Sequence, residues 1–163
     1  FRKSNSKKNK RRSFFAICNL QLHFTNSTIF LYTYLMVNIL LVSHSQRLAT
    51  SVAEVAALMA KTATIKAVGG KSDGSFGADE ERITKAINDA YTDDGVVVIA
   101  DIGSSVNTVK AVIKKMEEQG RANVKLADCP MIEGAIAAAV MAGIGMPMEE
   151  VIHEAENAKK MKK

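Results

Sequence analysis

Val37-Asn38-Ile39-Leu40-Leu41-Val42-Ser43-His44-Ser45 and Val96-Val97-Val98-Ile99-Ala100-Asp101-Ile102-Gly103-Ser104 share one pattern: a short, nearly unbroken apolar run that stops abruptly at polar residues. Such runs, too short for a helix core and lacking alternation, mark strands buried on both faces of a parallel sheet. The first strand is predicted over residues 37–42 and the clearest strand of the chain over 96–100.

The stretches around them fill in the alternation. After the first run, Leu48, Val52, Val55, Ala56 and Met59 recur at helical spacing and are expected to form the core-facing side of a helix. Residues 64–68 read as a second strand ending at Gly69-Gly70, followed by a polar, glycine-containing loop over 71–78. The charges of Asp79-Glu80-Glu81 suit a helix start, and Ile83, Ala86, Ile87, Ala90 and Tyr91 form its apolar stripe. Asp94-Gly95 marks a turn into the strand at 96–100. Val106, Val109, Val112, Ile113 and Met116 then outline a helix closed by Gly120, and residues 123–127 a fourth strand. The Ala- and Gly-rich stretch 134–146 is short for a membrane span and reads as a helix packed closely on the sheet or on a second subunit. Pro147 separates it from a last helix with Glu149 and Glu150 near its start and Lys residues in its tail. No internal repeat is visible. The expectation is a doubly wound α/β fold, a mostly parallel sheet of about four strands with helices on both faces.

The chain of 163 residues is long enough for one domain with a real core and short for two. Its 47% hydrophobic and 24% charged content is that of an ordinary globular protein. The formal charge of +5 is concentrated at one end: residues 1–35 hold seven of the 22 Lys+Arg and none of the 17 Asp+Glu, leaving 15 basic against 17 acidic residues elsewhere. That balance gives the domain no reason to bind nucleic acid. Cys18 and Cys129 show no paired or repeated spacing, which argues against a disulfide framework and a zinc site and fits a reducing, cytoplasmic compartment.

Residues 1–35 start at Phe1 with a basic head and continue into a patchily apolar stretch. Asn19, Gln21, His23, Asn26 and Ser27 interrupt that stretch, so it lacks the roughly 18 uninterrupted apolar residues of a span. An acid-poor organellar presequence is an alternative. The favoured reading takes Met36 as the true start, residues 1–35 as a leader outside the native domain, and residues 36–163 as the domain, with no membrane association.

In a doubly wound sheet, chemistry belongs in the crevice beyond the carboxyl ends of the strands where the strand order reverses. If the first and third strands are neighbours, as a flavodoxin-like order makes them, His44 and Asp101 face each other there. A neutral imidazole is a good phosphoryl acceptor when one nitrogen is free and a carboxylate holds the hydrogen on the other. Backbone N–H groups at helix starts suit the oxygens of the transferred group; Ser45 and the residues after it, and the Gly103-Ser104-Ser105 turn, are candidates. Spacing alone leaves plainer roles open. A histidine at a strand end is commonly an ordinary surface residue, Asp101 can simply cap the next helix, and Gly69, Gly70 and Gly77 can serve only turns. Glu133 can be an ordinary helix-start carboxylate. His23 and His153 have no comparable setting, and no Walker or dinucleotide fingerprint is present.

The segment from Val37 to Ser45 followed by Arg47-Leu48 resembles the start of the phosphotransferase subunits of phosphoenolpyruvate-dependent dihydroxyacetone kinases, which belong with the mannose-type enzyme IIA domains of the sugar phosphotransferase system. Gly69-Gly70, Gly77 before Asp79, Asp101-Ile102-Gly103-Ser104 and Pro130-Met131-Ile132-Glu133-Gly134 follow in the family's order, over residues 36–157. The resemblance implies that His44 takes a phosphoryl group from the carrier protein HPr and passes it to ADP on a separate kinase subunit, a third subunit presenting dihydroxyacetone. It implies Asp101 as the acidic partner that orients the imidazole. Ser43, Ser45, Gly70, Gly77, Gly103, Ser104 and Glu133 are the expected phosphate- or partner-binding positions. It further implies a homodimer, no metal or cofactor held by this chain, and Mg-ADP on the partner subunit. The ending after Lys163 is read as the single-domain form. Ala78 stands where the family commonly has Thr. Two other functions compete: a mannose-type IIA component of a sugar permease, and a non-catalytic regulatory binding domain of the same fold.

Overall fold

The computed structural model describes residues 36–161; the leader reading of residues 1–35 lies outside the described residues. Strand β1 (Asn38–Ser43) is buried along its whole length, and its side chains divide between two cores. Ile39 and Leu41 enter one cluster while Leu40 and Val42 enter the other, because successive side chains of a strand point to opposite faces. This is why the run has no polar alternation. Fully burying a side chain such as Leu41 contributes about 1.5–3 kcal/mol, and truncating it to Ala would cost about 2–5 kcal/mol with the cavity included.

The remaining elements follow in alternation: α1 (Gln46–Met59), β2 (Ile65–Gly69), α2 (Glu80–Ala90), β3 (Val96–Ala100), α3 (Ser104–Glu118), β4 (Val124–Ala127), α4 (Met131–Gly143) and α5 (Met148–Asn157). The four strands form one all-parallel sheet in the order β2-β1-β3-β4. β1 and β3 are therefore neighbours, as the flavodoxin-like order requires, with Val42 opposite Ala100. The first, second and fourth strands are each offset by a residue or so from the ranges read in the sequence, the ordinary uncertainty of element ends.

The helices cover the two faces with different materials. On one face α2 and α3 present Ile83, Ile87, Val109, Val112, Ile113 and Met116 to the sheet. On the other, α1, α4 and α5 approach with small residues, among them Ala56, Ala135, Ala138, Ala139 and Ala155. Close approach is enforced at Gly134, where an added Cβ would lie 2.3 Å from the Cys129 Sγ. The Ala-rich stretch thus packs on the sheet, on α1 and on α5.

The face expected for α1 needs correction. Val52 and Ala56 are buried as predicted, but their companion is Ala49, while Leu48, Val55 and Met59 are exposed. The apolar residues of this helix span more than one face. The close packing against sheet and α4 selects the stripe with the small side chains, so residue size decides orientation here and hydrophobicity alone misleads.

Candidate active site

The site grows out of the β1–β3 pairing. The ladder continues one step past the strands through a 3.0 Å bond from the Asp101 N–H to the Val42 carbonyl, which sets Asp101 directly beside the turn after β1. Its carboxylate is then surrounded by donors. Oδ2 accepts from the Ser43 hydroxyl at 2.8 Å and from the His44 backbone N–H at 2.9 Å, and Oδ1 accepts from the Ile102 N–H at 2.7 Å. The plain alternative, a helix cap, does not apply: α3 has Gly103 at its N-cap, at φ +53°, and no side-chain cap bond. Burial by itself would raise the Asp101 pKa. The backbone N–H groups of His44 and Ile102, with the Ser105 and His44 side chains, outweigh it and hold the carboxyl at about 2, below its ordinary 3.8.

The imidazole of His44 sits over this ionised group. Nδ1 lies 3.1 Å from each carboxylate oxygen. Because an ionised carboxylate only accepts, the ring hydrogen belongs on Nδ1, and Nε2 keeps its lone pair. The Ser104 hydroxyl, 2.7 Å from Nε2, then donates to that lone pair. Ser105, buried in the first turn of α3, puts its hydroxyl 3.0 Å from Nδ1. The His44 side chain is 31% exposed and that of Asp101 12%, so the ring is more open to water than the carboxylate that orients it.

Ser45 caps α1, its hydroxyl accepting from the Leu48 N–H at 3.4 Å, and its own N–H donates to Ser43 Oγ at 3.1 Å. Gly69 must be glycine: a Cβ there would come within 2.7 Å of the carbonyl oxygens of Ser43 and Ser45. From β2 the chain continues into an exposed loop that returns to the site. Gly70 donates to the Ser43 carbonyl at 3.2 Å and Gly77 to the His44 carbonyl at 3.0 Å. A cleft of about 380 Å³ opens between this loop and the histidine, lined by His44, Arg47, Gly69, Lys71, Phe76 and Arg82 among others.

Most of the expected site residues are therefore gathered at one place. His44, Asp101, Ser43 and Ser104 interact through side chains, and Ser45, Gly70 and Gly77 shape the same turn through backbone bonds. Gly103 starts the helix that carries Ser104. Glu133 is in the first turn of α4 and is not among the residues lining the cleft. His153 is exposed on α5, beside Glu154. The Ser105 hydroxyl at Nδ1 was foreshadowed only by its place in the Gly-Ser-Ser turn, and the roles of Gln46 and Arg82 at the cleft had no local signal. Among the described residues no cluster of His, Cys, Asp and Glu is arranged to hold a metal, and no helix is long and apolar enough to cross a membrane.

Known proteins carry the same scaffold. The chain is 33% identical over 132 residues to the phosphoryl donor subunit DhaM of the PEP-dependent dihydroxyacetone kinase of Escherichia coli (strain K12), covering 78% of this chain and 28% of that protein. It is 27% identical over 123 residues to the corresponding subunit of dihydroxyacetone kinase 2 from Listeria innocua, covering 75% of this chain and 98% of the relative. A solved structure of a protein of unknown function, EF1359, superposes with a TM-score of 0.70 at 35% identity, covering 78% of this chain and 97% of the other. The chain thus spans between a quarter and a third of the length of the Escherichia coli relative and nearly all of the Listeria one. Residues 38–152, which include every residue of the His44 centre, match the family model described as EIIA-man, PTS system fructose IIA component, and the chain belongs to that family.

Proposed function

We propose that this domain is a phosphocarrier of a phosphoenolpyruvate-driven relay, with Nε2 of His44 as the atom that accepts and gives up the phosphoryl group. The observation that carries the reading is the orientation of the imidazole: Nδ1 faces both oxygens of an ionised Asp101, and only a rotatable serine hydroxyl covers Nε2. In the first step the Nε2 lone pair attacks phosphorus, the N–P bond of the phosphorylated donor HPr breaks, and the donor leaves with the electron pair. Positive charge grows on the ring as this happens, and Asp101 stabilises it without taking the proton. The Ser104 hydroxyl must turn away from Nε2 for attack, and it then donates to a phosphoryl oxygen. In the second step a β-phosphate oxygen of ADP on a separate kinase subunit attacks, the Nε2–P bond breaks, and His44 returns to its starting state.

The acceptor is read as the ADP-binding subunit of a dihydroxyacetone kinase, in keeping with the relatives being phosphoryl donor subunits of such kinases. Nucleotide and Mg²⁺ belong to that subunit, and this chain holds neither in the proposal. The reading is of a cytoplasmic protein supporting dihydroxyacetone phosphorylation. It includes pairing of two copies, for which the exposed Leu48, Val55, Leu58 and Met59 of α1 offer an apolar surface; the oligomeric state in solution tests that part. A second reading, the IIA component of a sugar permease, is favoured by the fructose IIA description of the family model.

The deciding experiment incubates the protein with phosphoenolpyruvate, enzyme I and HPr and maps acid-labile phosphate. Label on His44 that an ADP-loaded kinase subunit discharges supports the first reading. Label discharged only by a sugar permease supports the second. Absence of label defeats both.

A further inference from the structure

We propose that Arg82 and Gln46 form a clamp that holds the 70–77 loop in place as a wall of the cleft, making Arg82 a positioning residue for docking of the phosphorylated donor. The inference rests on the phosphotransfer reading of His44 and names how the donor's site is kept in shape.

The two ends of the loop are tied down by the Gly70 N–H on the Ser43 carbonyl at 3.2 Å and the Gly77 N–H on the His44 carbonyl at 3.0 Å, and the stretch between them has little else to hold it. Residues 71–76 are exposed, and Phe76, its one large apolar side chain, is 79% exposed, so burial contributes almost nothing to its position. Its internal bonds are local, Lys71 N–H to the Ser75 carbonyl at 2.8 Å, Gly74 N–H to the Lys71 carbonyl at 3.0 Å, and the Ser75 N–H and hydroxyl to Asp73 Oδ1 at 2.9 and 2.6 Å. Between those two ends, what fastens it to the domain is the side chain of Arg82. Nη1 donates to the Lys71 carbonyl at 2.8 Å and more weakly to that of Gly70 at 3.4 Å, and Nη2 donates to Gln46 Oε1 at 3.2 Å.

Gln46 carries the clamp to the reactive turn. It is the first residue of α1, two positions after His44. Its Oε1 accepts from the Gly69 N–H at 3.0 Å, and its Nε2 donates to the Ala67 carbonyl at 3.3 Å. One amide and one guanidinium thus join the end of β2, the start of α1 and the start of α2. Arg82 is itself fixed at its root, because Asp79 Oδ1 caps α2 by accepting from the backbone N–H groups of Glu81 and Arg82.

The geometry calls for a guanidinium. Three acceptors lie in two directions, which a planar fork of donors meets and the single ammonium of a lysine meets only in part. The loop so held places Lys71 in the lining of the same cleft as Arg47 and His44, two cations suited to a phosphate-bearing donor.

The test combines two measurements on the full chain, wild type and the Arg82→Gln and Arg82→Lys variants. Hydrogen exchange is followed at the amides of Gly70, Lys71 and Gly77, with β3 amides as internal reference. Phosphoryl uptake is followed with phosphorylated HPr as the donor. In Arg82→Gln the three loop amides should exchange about tenfold faster with β3 unaffected, and KM for the donor should rise about tenfold with kcat changing less than about twofold. Arg82→Lys should fall between. A loop that keeps its protection in Arg82→Gln overturns the clamp, and a loosened loop with unchanged KM overturns the docking role. A wild-type protein that takes no phosphate on His44 overturns the phosphotransfer reading and the docking role with it. That result differs from failure of the clamp alone, in which the wild type labels and Arg82→Gln docks as well as it does.

Discussion

His44 stands between two walls built in opposite ways. The wall on the β3 side grips the ring: Asp101, Ser104 and Ser105 all reach imidazole nitrogens from a strand end and the first turn of a 15-residue helix. The wall on the β2 side grips only the backbone, through Gly70 to the Ser43 carbonyl and Gly77 to the His44 carbonyl, and presents an exposed loop to the cleft. The difference separates two tasks. Chemistry needs the tautomer and orientation of one ring fixed to a fraction of an ångström, which packed secondary structure supplies. Reception of a partner needs an accessible surface that adapts, which a hydrogen-bonded loop supplies.

The comparison is broken most completely at its centre. His44→Ala should abolish phosphoryl uptake while leaving the thermal midpoint nearly unchanged, because the ring is partly exposed and forms no part of either core; residual labelling at another residue would contradict the assignment.

Asp101→Asn attacks the ring-gripping wall, and uptake should fall by about 10²–10⁴-fold, since an amide leaves the imidazolium charge unopposed and permits the wrong tautomer. The same substitution has a signature in acid. The Asp101 pKa is lower in the folded protein, about 2, than its ordinary 3.8. Its contribution to stability is therefore complete above about pH 4 and lost as pH falls towards 2. Denaturation midpoints of the wild type should drop through that window more steeply than those of the variant.

Gly69→Ala strikes the backbone-gripping wall, forcing a methyl to within 2.7 Å of the Ser43 and Ser45 carbonyl oxygens. Urea denaturation should show a loss of about 1–3 kcal/mol, from displacement of the turn that carries His44. Ser104→Ala sharpens the contrast at the small end. Removing one exposed donor that must move during the reaction should lower kcat less than about tenfold, far from the loss at Asp101.

Much of this was legible beforehand, for identifiable reasons. Strands buried on both faces announce themselves as runs such as Val96 to Ala100, and the points where those runs stop, at Ser43-His44 and Asp101, are where the sheet opens to water. Neighbouring β1 and β3 then suffice to bring His44 to Asp101. The orientation of α1 was not legible from hydrophobicity, because Leu48, Val55 and Met59 form as plausible a stripe as Ala49, Val52 and Ala56; only the closeness of α4 decides between them. Arg82 and Gln46 were invisible for another reason. Their acceptors are mostly backbone carbonyls, and no residue type or spacing records which carbonyl a guanidinium will find.

The bond between the His44 N–H and Asp101 joins residues 57 positions apart, with β2 and both flanking helices lying between them in the chain. A polypeptide emerging from the ribosome therefore displays the histidine long before the carboxylate exists, and even a chain complete to residue 101 has an unactivated imidazole until β3 inserts alongside β1. Such non-local pairing is the slow part of assembling a parallel sheet. On the proposed role of His44, phosphoryl uptake would consequently report finished assembly, because nascent, truncated or misregistered chains lack the oriented ring.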